Sequence, residues 1–162
     1  MHKLIDRFRR DTEGSTLIET AFIAPVLVAM TLSGVEVSSM ISRQTELQTI
    51  AGHAMEIILA SAPTSDAETD RTIKEASEYI ANTSGLTLVT GSSPNAGELA
   101  VYKRWRCGNN SERQATEGCA NTAQTESVFI VIDMKDTYTP VWTNYGIGDN
   151  LTFHIKRSVQ IG

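Results

Sequence analysis

Gly14 to Val37 reads GSTLIETAFIAPVLVAMTLSGVEV, and from Thr16 to Val35 its only charged side chain is Glu19. Those 20 residues, at a helical rise of about 1.5 Å each, span the roughly 30 Å hydrocarbon core of a bilayer. Ahead of them lies MHKLIDRFRRDTEG, with Lys3, Arg7, Arg9 and Arg10 set against Asp6, Asp11 and Glu13. Only Arg43 stands between the apolar run and Arg71. Cations gathered on one flank mark the cytoplasmic end of a spanning helix, so the body of the chain is expected to face outward.

Two residues set this run apart from a plain anchor. Glu19 lies a few residues inside it, where an acid costs up to about 2.5–3.5 kcal/mol at the centre of a span and less toward its end, so the carboxylate needs a reason. Pro25 removes one backbone donor and clashes with the carbonyl of Ala21, which predicts a kink or a loosened turn. A secretory signal has the same basic start and apolar stretch, but no convincing A-x-A site follows.

Gly14-Ser15-Thr16-Leu17-Ile18-Glu19, followed by the apolar run with Pro25, resembles the processing site of type IV pilin-like proteins. More closely, Glu13 to Val37 resembles TadE-like minor pilins, or pseudopilins, of the tight-adherence (Tad/Flp) pilus systems. The resemblance implies a bacterial source and a prepilin peptidase in the inner membrane that cuts after Gly14. Ser15 then becomes the new N-terminus and Glu19 the fifth mature residue. Such a cut leaves the hydrophobic helix on the mature protein, free to pack against others. The new ammonium of Ser15 and the carboxylate of Glu19 lie one helical turn apart, so staggered subunits can pair one molecule's ammonium with another's acid and offset the burial of both. The alternative is that Glu19 snorkels to the interface.

Past the apolar run, Met40, Gln44, Leu47, Ala51, Ala54 and Ile58 recur at helical spacing, opposite a polar stripe of Ser42, Glu46, Thr49, His53 and Glu56. One long helix over 15–62 is the simplest reading, ending near Ala62-Pro63 because proline pushes its predecessor out of the helical region. Thr64-Ser65-Asp66 then supplies cap chemistry for a second helix carrying Ile73, Ala76 and Ile80, which Asn82 to Gly85 terminates.

Glu98–Cys107, Ser127–Met134 and Leu151–Ile161 read as strands, with a weaker one over Leu86–Thr90. The last alternates, placing Leu151, Phe153, Ile155, Val159 and Ile161 on one face and Thr152, His154, Lys156, Ser158 and Gln160 on the other. Arg157 falls on the apolar side, where a bulge or an edge position would expose it. The fold class is therefore α+β: a long N-terminal helix, membrane-spanning in its first half and packed by its second half against a small antiparallel sheet, as in type IV pilins.

Cys107 and Cys119 are the only cysteines. In an outward-facing domain they are expected to form a disulfide. Zinc is the competing reading, but His2, His53 and His154 are scattered singly. Trp105 through Cys119, with Tyr138-Thr139-Pro140 beyond, also resembles the C-terminal half of TadE-like proteins.

The formal charge of −5 lacks the basic footprint of a nucleic-acid binder. Lys103, Arg104 and Arg106 beside Trp105 read as a small basic patch on a wet strand face, and Asp133 with Asp136 as a solvated pair following a strand. No Gly-x-Ser-x-Gly, phosphate loop or HExxH occurs, so no catalytic residue, metal or cofactor is expected.

These readings converge on a non-enzymatic minor pilin of a Tad-type pilus. The expected organisation is a leader over 1–14 that is cleaved, a helix over 15–62 spanning the membrane over about 16–35, and a periplasmic α+β domain over 63–162. The resemblance implies that Gly14 and Ser15 form the cleavage site and that Glu19 and Pro25 serve subunit assembly. The expected partners are the prepilin peptidase, other minor pilins, the major pilin and the inner membrane, with no nucleic acid. The alternatives are a membrane-anchored periplasmic binding domain that joins no filament and, nearer in kind, a type II secretion pseudopilin.

Overall fold

In the computed structural model, which describes residues 12–109, 114–119 and 124–161, the first element is helix α1, Thr12–Ser61. Residues 1–11, most of the expected leader, lie outside the described residues. Pro25 sits inside α1 and the helix runs through it without interruption. The chain divides into two compact units, Met1–Ile41 and Ser42–Gly162.

In the first unit, every residue of the apolar run from Thr16 to Val35 is exposed. Its hydroxyls fold back on the helix: Thr20 donates to the Thr16 carbonyl, Thr31 to Leu27 and Ser33 to Ala29, each at 2.8 Å. These bonds leave fewer donors to be desolvated in an apolar surrounding.

The second unit is built on the later turns of α1. Helix α2, Asp66–Ser84, starts where Ser65 accepts a bond from the Glu68 amide and stops at Gly85, whose φ of 73° is the left-handed geometry glycine adopts without strain. Glu68 in turn accepts from the Thr64 amide and hydroxyl, both at 2.9 Å. Bonding first to that amide and then to the hydroxyl holds the Glu68 carboxyl below its ordinary range.

Four strands follow: β1 Thr87–Leu88, β2 Glu98–Cys107, β3 Glu126–Tyr138 and β4 Leu151–Gln160. They lie in the order β1-β2-β3-β4. β2 pairs antiparallel with β3, and β3 with β4, each over ten residues, but β1 pairs parallel with β2. The sheet is therefore mixed rather than purely antiparallel. The loop 89–97 brings the chain back to the start of β1 before β2 begins, so both strands run the same way.

One face of the sheet meets the helices. Leu47, Ile50, Ala51, Ala54 and Ile58 of α1 join Ala76 and Ile80 of α2 and Leu99, Ile130, Ile132, Met134 and Ile155 of the strands in a single core. The predicted helical stripe holds from Leu47 onward, while Gln44 is exposed and Ile50 is buried in addition. The predicted polar stripe, Ser42 through Glu56, is exposed throughout. On β4, Ile155 is buried and Phe153 and Val159 are partly covered, as the alternation requires, but Leu151, expected on the same face, is exposed because it opens the strand beyond the reach of the helices. Arg157 is exposed with its register to Ile132 intact, so its position on an edge strand, not a bulge, frees it.

Cys107 and Cys119 are joined by a disulfide, with Cα atoms 5.7 Å apart. It closes a short loop at the end of β2, for which chain entropy gives about 3 kcal/mol. Replacing both cysteines with serine should therefore lower the thermal midpoint of the folded unit and leave membrane insertion unchanged, as thermal denaturation and membrane fractionation of the variant will show.

Candidate functional site

Two regions carry unusual chemistry. The first is the apolar part of α1. Leu17 (73% exposed), Phe22 (75%) and Leu32 (66%) are large side chains with no protein cover. This is the one helix among the described residues long and apolar enough to cross a membrane. Glu19 stands exposed among these side chains. Pro25 is six residues further along. Gly14 and Ser15 belong to the first turns of α1, directly ahead of the run.

The second region is where α1 enters the folded unit, and Arg43 organises it. Its Nε donates to Asp136 of β3 at 2.7 Å, its Nη1 to Glu46 at 3.0 Å and its Nη2 to the Ser84 carbonyl at 2.9 Å. Ser84 is the last residue of α2, so the guanidinium also meets the negative end of that helix dipole. Burial works against the charged form here, but hydrogen bonds and charge attraction from Asp136 and Glu46 outweigh it and hold the Arg43 pKa above its ordinary value. One side chain thus ties α1, α2 and β3 together.

Sequence reading placed Asp133 and Asp136 beyond a strand, as a solvated pair. Both lie inside β3, which is four residues longer than expected at its C-terminal end, and they point to opposite faces. Asp136 faces Arg43 on the helix side. Asp133 is 3% exposed on the other face, where His154 Nε2 lies 2.8 Å away, Lys156 Nζ 3.1 Å and the Tyr102 hydroxyl 3.4 Å. Hydrogen bonding to Tyr102 first and Asp133 second raises the Lys156 pKa. The paired strands bring these groups together from positions up to 54 residues apart in sequence, which no local pattern reveals.

The expected basic patch is likewise divided by the strand's alternation. Lys103 faces α2, reaching Asp66 at 3.2 Å and Asp70 at 2.8 Å. Arg104 and Arg106 lie on the opposite face, over the rings of Tyr102 (5.1 Å) and Phe129 (5.0 Å). Burial opposes the Lys103 charge, but hydrogen bonds to Asp70 and Asp66 and their charges prevail, so its pKa lies above the ordinary 10.5. A raised amine pKa stabilises fully below the unfolded value and loses that contribution as pH rises through the folded one. Lys103→Met should accordingly cost about 0.5–1 kcal/mol, since both acids are largely exposed. The difference from the parent chain should hold constant from neutral pH up to 10.5 and shrink above it, as denaturant titrations across the alkaline range will show.

In the sequence Arg43 stands out only as an isolated cation. The one available signal is its place inside the amphipathic stretch, between Met40 and Gln44 of the helical stripe. His53 is an exposed histidine, as expected, with Nδ1 3.3 Å from the Tyr79 hydroxyl. Among the described residues no three His, Cys, Asp or Glu side chains gather as a metal site would require.

Residues 14–54 match the family model described as TadE-like protein. The chain carries a TadE-like segment. The match begins at Gly14, covers the whole apolar run and ends within the core stripe at Ala54. It does not extend to Trp105–Cys119, so the resemblance of that loop is not part of it. No curated protein and no solved structure matches the chain. That segment is about a quarter of the chain, and its likeness supports a Tad pilus-associated protein.

Proposed function

We propose that this chain is a minor pilin of a Tad-type pilus, cut by prepilin peptidase after Gly14 and held in the inner membrane until it joins the filament. The observation that carries the reading is the TadE-like segment itself: a match that starts at Gly14 and continues through an apolar helix left wholly exposed. A helix of this kind is stable only in lipid or against other helices, and a peptidase acting on its cytoplasmic side leaves it available for both. The leader's cations support an orientation with the N-terminus cytoplasmic and the disulfide-bonded unit in the oxidising periplasm. Other minor pilins and the major pilin would meet the chain through residues 15 to 41, and Pro25 would set the local shape of that contact.

N-terminal sequencing of the protein from native membranes, made with and without its peptidase, tests the proposal. The expected terminus with the peptidase is Ser15-Thr16-Leu17-Ile18-Glu19, and without it Met1. An uncut chain in both preparations, or a terminus beyond Val35, refutes processing and favours a membrane-anchored binding domain or a secreted one.

A further inference from the structure

Among the described residues from 42 onward, the large apolar side chains that remain exposed are Leu59, Leu88, Val141, Tyr145, Ile147 and Leu151. Four of these six fall between 141 and 151. Val141 is 58% exposed, Tyr145 78%, Ile147 64% and Leu151 42%, in a stretch whose one charged residue is Asp149. The loop has a built shape. A 3-10 helix, Val141–Tyr145, ends at Gly146 with φ of 72°, and Gly148 has the same φ. A Cβ on Gly148 would come within 3.3 Å of the Trp142 indole nitrogen, so the chain closes on the half-buried Trp142. Tyr145 and Ile147 remain in solvent.

The position of the loop within the folded unit follows from the register. Ile130 of β3 pairs with Lys103, which reaches Asp66 at the start of α2. Asp136, six residues later, reaches Arg43 near the start of the unit and shares it with Ser84 at the end of α2. β3 therefore runs toward the end at which α1 comes in, and continues two residues past Asp136 to Tyr138, paired with Leu151. The loop 139–150 spans that pair. The Cys107–Cys119 disulfide lies at the opposite end of β2. Arg43 is eight residues after Val35, about 12 Å along a helix and at most roughly 29 Å in a fully extended chain. Those eight residues are all the chain between the apolar run and this end of the unit.

We propose that the 141–151 loop is a membrane-interface contact: Val141, Tyr145, Ile147 and Leu151 rest in the headgroup region of the bilayer that holds α1. Tyrosine and tryptophan favour that region because their rings are apolar and their polar atoms remain wet. Apolar side chains beside them bury area there that would otherwise face water. Asp149, repelled by anionic lipid, marks the edge of the contact. The contact would orient the folded unit on the membrane before assembly and be given up when the subunit leaves it. The proposal rests on the reading that residues 16–35 cross the membrane, and the experiment separates the two.

The full chain with Ile147→Cys takes a single environment-sensitive fluorophore, because both native cysteines are bridged. Arg71→Cys, an exposed position near the start of α2, is the control. Each is reconstituted in vesicles of phosphatidylethanolamine and phosphatidylglycerol carrying a headgroup nitroxide. Several-fold stronger quenching at position 147 than at 71, independent of protein-to-lipid ratio and reduced by Tyr145→Ser with Val141→Ser, supports the contact. Equal quenching at the two positions, with the chain resistant to carbonate extraction, overturns the contact and leaves the spanning helix intact. Shielding at 147 that grows with protein density, with energy transfer between labelled copies, assigns the loop to a second copy and also overturns it. Release of the chain by carbonate refutes the spanning helix and the contact together.

Discussion

Glu19→Ala in the full chain should abolish incorporation into pili while membrane insertion and peptidase cleavage proceed normally. The substitution makes the apolar run more hydrophobic, so anchoring is if anything strengthened. On the proposed cleavage after Gly14, what is lost is the partner for the ammonium that the cut would create on Ser15. When subunits stack, that charge must be buried alone, and breaking one half of a buried pair costs about 3–5 kcal/mol, well over a hundredfold in an association constant. Co-purification of the processed variant with other pilins, beside a count of surface pili, measures the effect. Normal incorporation and piliation would show that Glu19 only snorkels to the interface. Glu19→Gln sharpens the test, because it keeps size and hydrogen bonding and removes only the charge.

Leu47→Ala is expected to have the largest effect on the folded unit. Leu47 is 0% exposed and is the first α1 residue of the core. Removing its side chain combines lost transfer energy with a cavity, which costs about 3–5 kcal/mol. Much of the stability of a domain this size would go, and the urea midpoint should fall accordingly. Gln44→Ala is the informative partner: it occupies the preceding step of the same helical stripe, yet it is exposed, so its cost should stay within about 0.5 kcal/mol. Equal effects from the two would mean that the core begins a turn earlier than the structure shows.

That pair of residues also marks the boundary between what could be read in the sequence and what could not. Periodicity identified the helical face, because any amphipathic helix must repeat its apolar residues near 3.6. It could not say at which turn the face meets a sheet, since that depends on where partner strands end in space. The same holds for β3. Its apolar stretch is legible to Met134, but Lys135 to Tyr138 are strand because β4 pairs with all four of them, and β2 with Lys135 as well.

The sequence by itself determined the elements whose physics is local. A run of 20 residues with one charge is long enough to span a bilayer regardless of what surrounds it. The Ser65 cap, the Gly85 stop and the alternation of β4 depend on a few neighbouring side chains, and each appears in the fold where the sequence places it. The tertiary structure alone decided the polar connections. Arg43 with Asp136, Lys103 with Asp70, and Asp133 with His154 and Lys156 join residues 21 to 93 positions apart, and only chain topology and register bring them within reach. It likewise decided that β1 runs parallel, that alternation along β2 parts Lys103 from Arg104 and Arg106, and that an apolar loop emerges at the end of the unit where α1 arrives. Local sequence carries propensity and period, whereas a charge pair across a sheet is a property of distance in the folded chain, and that distance exists only after the strands have paired.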